Sequence, residues 1–192
     1  MTSSQSRKQR ALEAKLQRRA DREIPVLEFD FGGPQLAFHG PIITTTLTIA
    51  EEHKEALSSA GLPTPTAVSC RFLIDTGADG CVVKHDFAEQ AKLKLINSST
   101  SLHGVGVDTT GRTYMGRIVF GCASQTLKGV THYFAVDGEI QSGELPTNQF
   151  DGIIGRNILQ NFEVIYNGMT GKVVMRFIAS PNAQRLPSLA EP

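Results

Sequence analysis

The sequence predicts an all-β class of fold, a single domain with one or two short helices. Three observations carry that expectation. The chain has 192 residues, enough for one proper core and too few for two domains of ordinary size. Its apolar runs are short and bounded by turn residues, with 18 glycines and no tryptophan, which favours strands joined by turns over a helical bundle. Residues 67–74 alternate Val68, Cys70 and Phe72 against Ser69 and Arg71 before turning wholly apolar, as a half-buried strand does.

The elements follow in chain order. Residues 1–25 hold seven bases and three acids, although the whole chain balances 19 bases against 19 acids. Residues 6–23 are good helix formers with sparse apolar content, so residues 1–35 read as a basic extension, flexible or frayed-helical, outside the core. The overall balance argues for neither nucleic acid nor an anionic membrane surface, and the basic tail reads as a solvated leader. Residues 25–41, with Gly32-Gly33-Pro34 and Gly40-Pro41, read as an extended connector carrying a short strand at 26–29.

Residues 42–49 (Ile-Ile-Thr-Thr-Thr-Leu-Thr-Ile) read as a strand that pairs with 67–74 in a hairpin. The 50–66 segment between them begins as a helix at Glu51 to Leu57, ended by Gly61, Pro63 and Pro65. Asp86 followed by Glu89 marks a helix start, continued by Phe87, Ala88, Ala91 and Leu93. Residues 102–120 read as strand, turn and strand, with the turn at Asp108-Thr109-Thr110-Gly111. Further strands are expected at 131–136 and 163–166, a short helix at 157–161 and the last strand at 172–178. The domain is therefore expected to span 36–179, followed by a tail at 180–192.

Cys70, Cys81 and Cys122 are odd in number and lack the paired spacing of a zinc site, so they read as reduced core residues. The five histidines are scattered without ligand spacing, and no metal or cofactor is expected. There is no apolar signal core near residue 1, and no run approaches the roughly 18 apolar residues of a membrane span. The expected location is cytoplasmic.

One segment stands apart. In Phe72-Leu73-Ile74-Asp75-Thr76-Gly77-Ala78-Asp79 a carboxylate ends an apolar run and is followed by small residues. A carboxylate there is costly to bury unless it is hydrogen-bonded or shares its charge with a partner. Asp-Thr-Gly by itself also marks ordinary turns, and Arg156 by itself could be a surface base at a helix start. Gly104-Val105-Gly106 lacks the third glycine that would open a helix over a phosphate.

Together with Cys81-Val82-Val83 behind it and Phe150-Asp151-Gly152-Ile153-Ile154-Gly155-Arg156-Asn157-Ile158-Leu159 downstream, the segment resembles the retropepsins, the retroviral-type aspartic proteases. The resemblance covers about 41–177. It implies a retropepsin-like acid-protease fold, active as a C2 homodimer, in which Asp75 is catalytic and Thr76, Gly77 and Ala78 complete the active-site loop. It matches Asp79 and Arg156 to a partly buried ion pair that also meets the substrate backbone. It places the family's flap at the hairpin that includes Val105, Gly106, Val107, Asp108, Thr109, Thr110 and Gly111, while the 50–66 insertion departs from the family.

The implied activity is that of an aspartic endopeptidase, with peptide or protein as substrate and a second copy of the chain as partner. This chain offers one such loop, so the second carboxylate must come from another chain. The rival reading is a retropepsin-fold dimerisation or interaction module with little or no proteolysis, since a fold does not fix a function.

Overall fold

The computed structural model describes residues 24–104, 107–125, 130–178 and 183–190, together with 12, 14, 15, 18, 22 and 128. In order these form β1 (Val26–Asp30), α1 (Gly33–His39), β2 (Ile42–Ile49), α2 (Glu51–Ser59), β3 (Val68–Ile74), β4 (Cys81–Lys84) and α3 (His85–Gln90). They continue with β5 (Lys94–Gly104), β6 (Val107–Ala123), β7 (Val130–Gly143), β8 (Gly152–Ile154), α4 (Arg156–Leu159), β9 (Phe162–Asn167), β10 (Lys172–Phe177) and β11 (Ala183–Ala190). The class is mostly β with short helices, as expected. Among the described residues no helix is long and apolar enough to cross a membrane.

The larger sheet runs β11-β7-β4-β8-β3-β2-β6-β5, and an additional β7–β6 pairing closes its middle into a barrel. Closure pairs the strands of the middle on both sides and leaves β5 and β11 as the outer strands. The smaller sheet runs β1-β10-β9. Alternation places Ile43, Thr45, Leu47 and Ile49 of β2 inside, against Cys70, Phe72 and Ile74 of β3. The β2–β3 hairpin has the expected pairing, with Ile43 opposite Phe72.

Between barrel and small sheet lies an aromatic cluster: Phe120, Phe134, Phe162 and Phe177, with contacting ring centroids 4.7–5.9 Å apart. Rings in that range gain beyond simple area burial. The cluster joins the two sheets into one core.

Several expectations change at the ends. The boundary at residue 36 is too late, because β1 pairs with β10 from Val26 to Asp30, Leu27 is buried, and Phe29 and Phe31 pack on the core. The Gly-Pro connector contains a helix instead: Pro34 sits in the first turn of α1, where its missing N–H costs nothing, and Leu36 is buried. Residues 183–190 are not a tail but strand β11, antiparallel to β7. Most of residues 1–23 lies outside the described residues.

The expected turn at 108–111 is also displaced. Thr109, Thr110 and Gly111 lie within β6, opposite Leu102, Ser101 and Thr100 of β5, and pairing continues to Gly104 opposite Val107. Gly111 is there for a packing reason, since a Cβ would come 2.1 Å from the Ser142 carbonyl oxygen. Turn-forming residues were outvoted by cross-strand pairing.

Candidate active site

The catalytic-loop candidate hangs between two strands that run side by side. β3 and β8 pair in parallel, with Phe72 opposite Gly152 and Ile74 opposite Ile154. A Cβ on Gly152 would stand 2.5 Å from the Phe72 ring and 2.7 Å from the Val82 carbonyl oxygen, so only glycine allows this approach. The two landmarks of the sequence therefore end at one place.

Backbone bonds then weld the loop to the downstream element. Asp75 N–H donates to Ile154 O (3.1 Å), Arg156 N–H to Ala78 O (2.9 Å) and Asn157 N–H to Asp79 O (3.2 Å). Gly155 permits this because a Cβ there would come 2.2 Å from the Gly80 carbonyl oxygen. The Arg156 guanidinium donates to Thr76 O (3.1 Å) and Gly77 O (3.0 Å) and pairs with Asp79. Gly77 N–H donates to Asp75 Oδ1 at 2.8 Å, which aims the carboxylate. Asp75 is half-buried, whereas Thr76 and Gly77 are exposed.

Sequence reasoning thus placed Asp75, Thr76, Gly77, Ala78, Asp79 and Arg156 together, and the structure assembles all six. One detail changes. The Asp79–Arg156 pair is exposed in the single chain, with side chains 90% and 55% accessible, not partly buried. An exposed pair contributes little, so a double-mutant cycle on Asp79→Ala and Arg156→Ala is expected to show a coupling below about 1 kcal/mol. Arg156→Ala should be the worse of the two single changes in thermal denaturation, because it also frees two loop carbonyls. Of the flap candidates, Val105 and Gly106 lie outside the described residues, and Val107 to Gly111 are part of β6.

A second ion pair was not anticipated from the sequence. Arg71, on β3 four residues before Asp75, donates from Nε and Nη2 to the two oxygens of Asp151 at 3.1 and 2.9 Å. Two further bonds join them: the Arg71 backbone N–H donates to the side-chain Asp151 Oδ2 (2.9 Å), and the Asp151 N–H donates to Arg71 O (2.8 Å). The fork geometry fixes orientation as well as charge. Sequence alone offered Asp151 as a landmark residue, but its partner is 80 positions away.

The hydrogen bonds from Arg71 hold the Asp151 carboxyl below its ordinary value of 3.8, against the opposing effect of burial. A carboxylate whose folded value is depressed contributes stability that is present above the unfolded value and is lost as pH falls through the folded one. The urea midpoint is therefore expected to drop as the wild type is taken below about pH 4. Asp151→Asn should have a lower midpoint at neutral pH and a flatter acid limb.

The three cysteines are buried, and none is in a disulfide. Burial, with a smaller effect of Asp151, pushes the Cys70 thiol up to about 12, and burial raises Cys81 further. Neither is a thiolate nucleophile near neutral pH. Among the described residues no group of His, Cys, Asp and Glu is arranged to hold a metal.

The family model for aspartyl proteases matches residues 60–158, just over half of the chain, and takes in the first landmark and the second as far as Ile158. The chain belongs to the aspartyl protease family. A retropepsin-like aspartic protease from Rickettsia conorii is similar in structure, with a TM-score of 0.44 and 12% identity over 85% of this chain and 96% of that one. No curated protein matches the chain. Within an aspartyl protease, the joined β3 and β8 ends form the surface that carries Asp75.

Proposed function

We propose that the protein is an aspartic endopeptidase that hydrolyses peptide bonds with water held between two Asp75 carboxylates, one from each protomer of a homodimer. The observation that carries this reading is the aimed, braced carboxylate: Asp75 ends a buried strand, takes the Gly77 N–H, and sits in a loop clamped by Arg156. In this family the two carboxylates stand about 3 Å apart and share one proton, since both cannot ionise at that distance. The ionised one takes a proton from water as it attacks the scissile carbonyl carbon. The protonated one donates to the carbonyl oxygen, and the tetrahedral intermediate collapses as the amine leaves with a proton.

The remaining residues have roles in that scheme. Thr76 bonds across the two-fold axis to the partner loop and adds no charge. Gly77 and Ala78 leave room for the substrate backbone, and Asp79 offers it a polar contact. The β5–β6 hairpin serves as the flap, and an extended peptide enters by strand-like pairing with alternate side chains in pockets. The enzyme works in the cytoplasm without metal, cofactor, nucleic acid or membrane. Its basic N-terminal segment is a site of autoprocessing.

Incubating the pure protein with a denatured protein mixture, with and without a pepstatin-type inhibitor, tests the reading. Inhibitor-sensitive cleavage is the expected result. Dimers that leave the mixture intact would instead favour the interaction module.

A further inference from the structure

The element that departs from the family is α2, and its attachment is unusual. None of its residues is buried, and only Glu51, His53 and Leu57 are partly covered, so apolar burial contributes little to its attachment. Its first residue, Glu51, instead pairs with Arg117 of β6, whose side chain is only 4% accessible. Arg117 also forks onto Asp137 of β7, its directly opposite cross-strand neighbour, from Nε at 2.7 Å and Nη2 at 2.8 Å. One buried guanidinium thus ties the inserted helix to two strands of the barrel.

The two strands of the β5–β6 hairpin differ beyond this point. β6 continues through Gly116 and Arg117 into pairing with Ile49 and Thr48 of β2. β5 has nothing paired on its outer edge among the described residues, and its register with β6 breaks between Leu95 and Asn97 and again between Asn97 and Thr100. Beside those breaks lies a cleft of about 360 Å3, with Glu52 and His53 of α2 on one wall and Leu95, Ile96 and Met115 on the other. Leu95 and Ile96 are each 49% accessible. The helix stands off from the irregular strand while being pinned to the regular one.

We infer that the inserted helix is the fixed arm of a hinge in the β5–β6 hairpin: Glu51 and Asp137 hold Arg117 as the anchored root, and the cleft gives β5 room to bend at residues 95–100. Register breaks are where a strand bends most readily. Glu51 and Arg117 are positioning residues in this arrangement, because neither touches Asp75. The hinge rests on the reading of the hairpin as a flap only for its effect on cleavage, not for its motion.

The test uses the full chain and two changes expected to act in opposite directions. Glu51→Gln leaves Arg117 forked on Asp137, so the protein stays folded, but releases the helix from β6. Amide exchange at 95–100 and 112–116 is expected to quicken at least about threefold while the aromatic cluster keeps its protection. Glu52→Phe, on the exposed lip of the cleft, fills the space and should slow exchange at 95–100. In peptide cleavage, Glu51→Gln should raise KM with little change in kcat, and Glu51→Asp should restore part of the loss. Unchanged exchange in both variants, or exchange that quickens equally across the barrel, would overturn the hinge. Opposite exchange effects in a protein that cleaves nothing would leave the hinge standing and reject the protease reading instead.

Discussion

Asp75→Asn is expected to abolish peptide cleavage, by at least about a thousandfold, and to leave the protein folded and dimeric. The amide keeps the shape of the side chain and can still accept the Gly77 N–H that orients Asp75 Oδ1. It can neither take a proton from water nor share one with a partner carboxylate, so both halves of the acid–base exchange fail. Cleavage assays beside circular dichroism of the variant check this. Undiminished cleavage would remove Asp75 from the mechanism.

The largest stability effect is expected at Asp137. Replacing it with leucine takes away the bidentate partner of Arg117, a cation with 4% of its side chain accessible, and leaves Glu51 alone to compensate the charge. Removing one partner of a buried ion pair costs up to about 3–5 kcal/mol, reduced here by the remaining Glu51, whereas apolar replacement of both partners is often close to neutral. Urea denaturation should therefore show a large loss for Asp137→Leu and substantial recovery in Arg117→Met combined with Asp137→Leu. A loss under about 1 kcal/mol in the single variant would mean that water reaches the guanidinium.

What could be read from the sequence divides along physical lines. Local periodicity placed β2 and β3 and their hairpin, because alternation of Ile43, Leu47, Phe72 and Ile74 reports burial directly. Six site residues were legible because Asp75 to Asp79 and Arg156 sit in two short motifs whose order along the chain is informative. The Arg71–Asp151 and Arg117–Asp137 forks were not legible, since a charge in a strand gives no sign of the partner that burial and register will bring to it. Helix α1 was hidden by Gly32 and Pro34, which punctuate loops and also open helices. Strand β11 was missed for a similar reason: its eight residues include Pro187, and only pairing with the long β7 makes them a strand.

The claim at the centre is that two chains build one catalytic centre, because each carries a single Asp75 loop. It is tested most directly by measuring peptide cleavage across a dilution series while sedimentation velocity reports the dimer fraction at each concentration. Specific activity is expected to follow the dimer fraction and to extrapolate to zero for the isolated chain. A monomer that cleaves at the full rate would contradict the account.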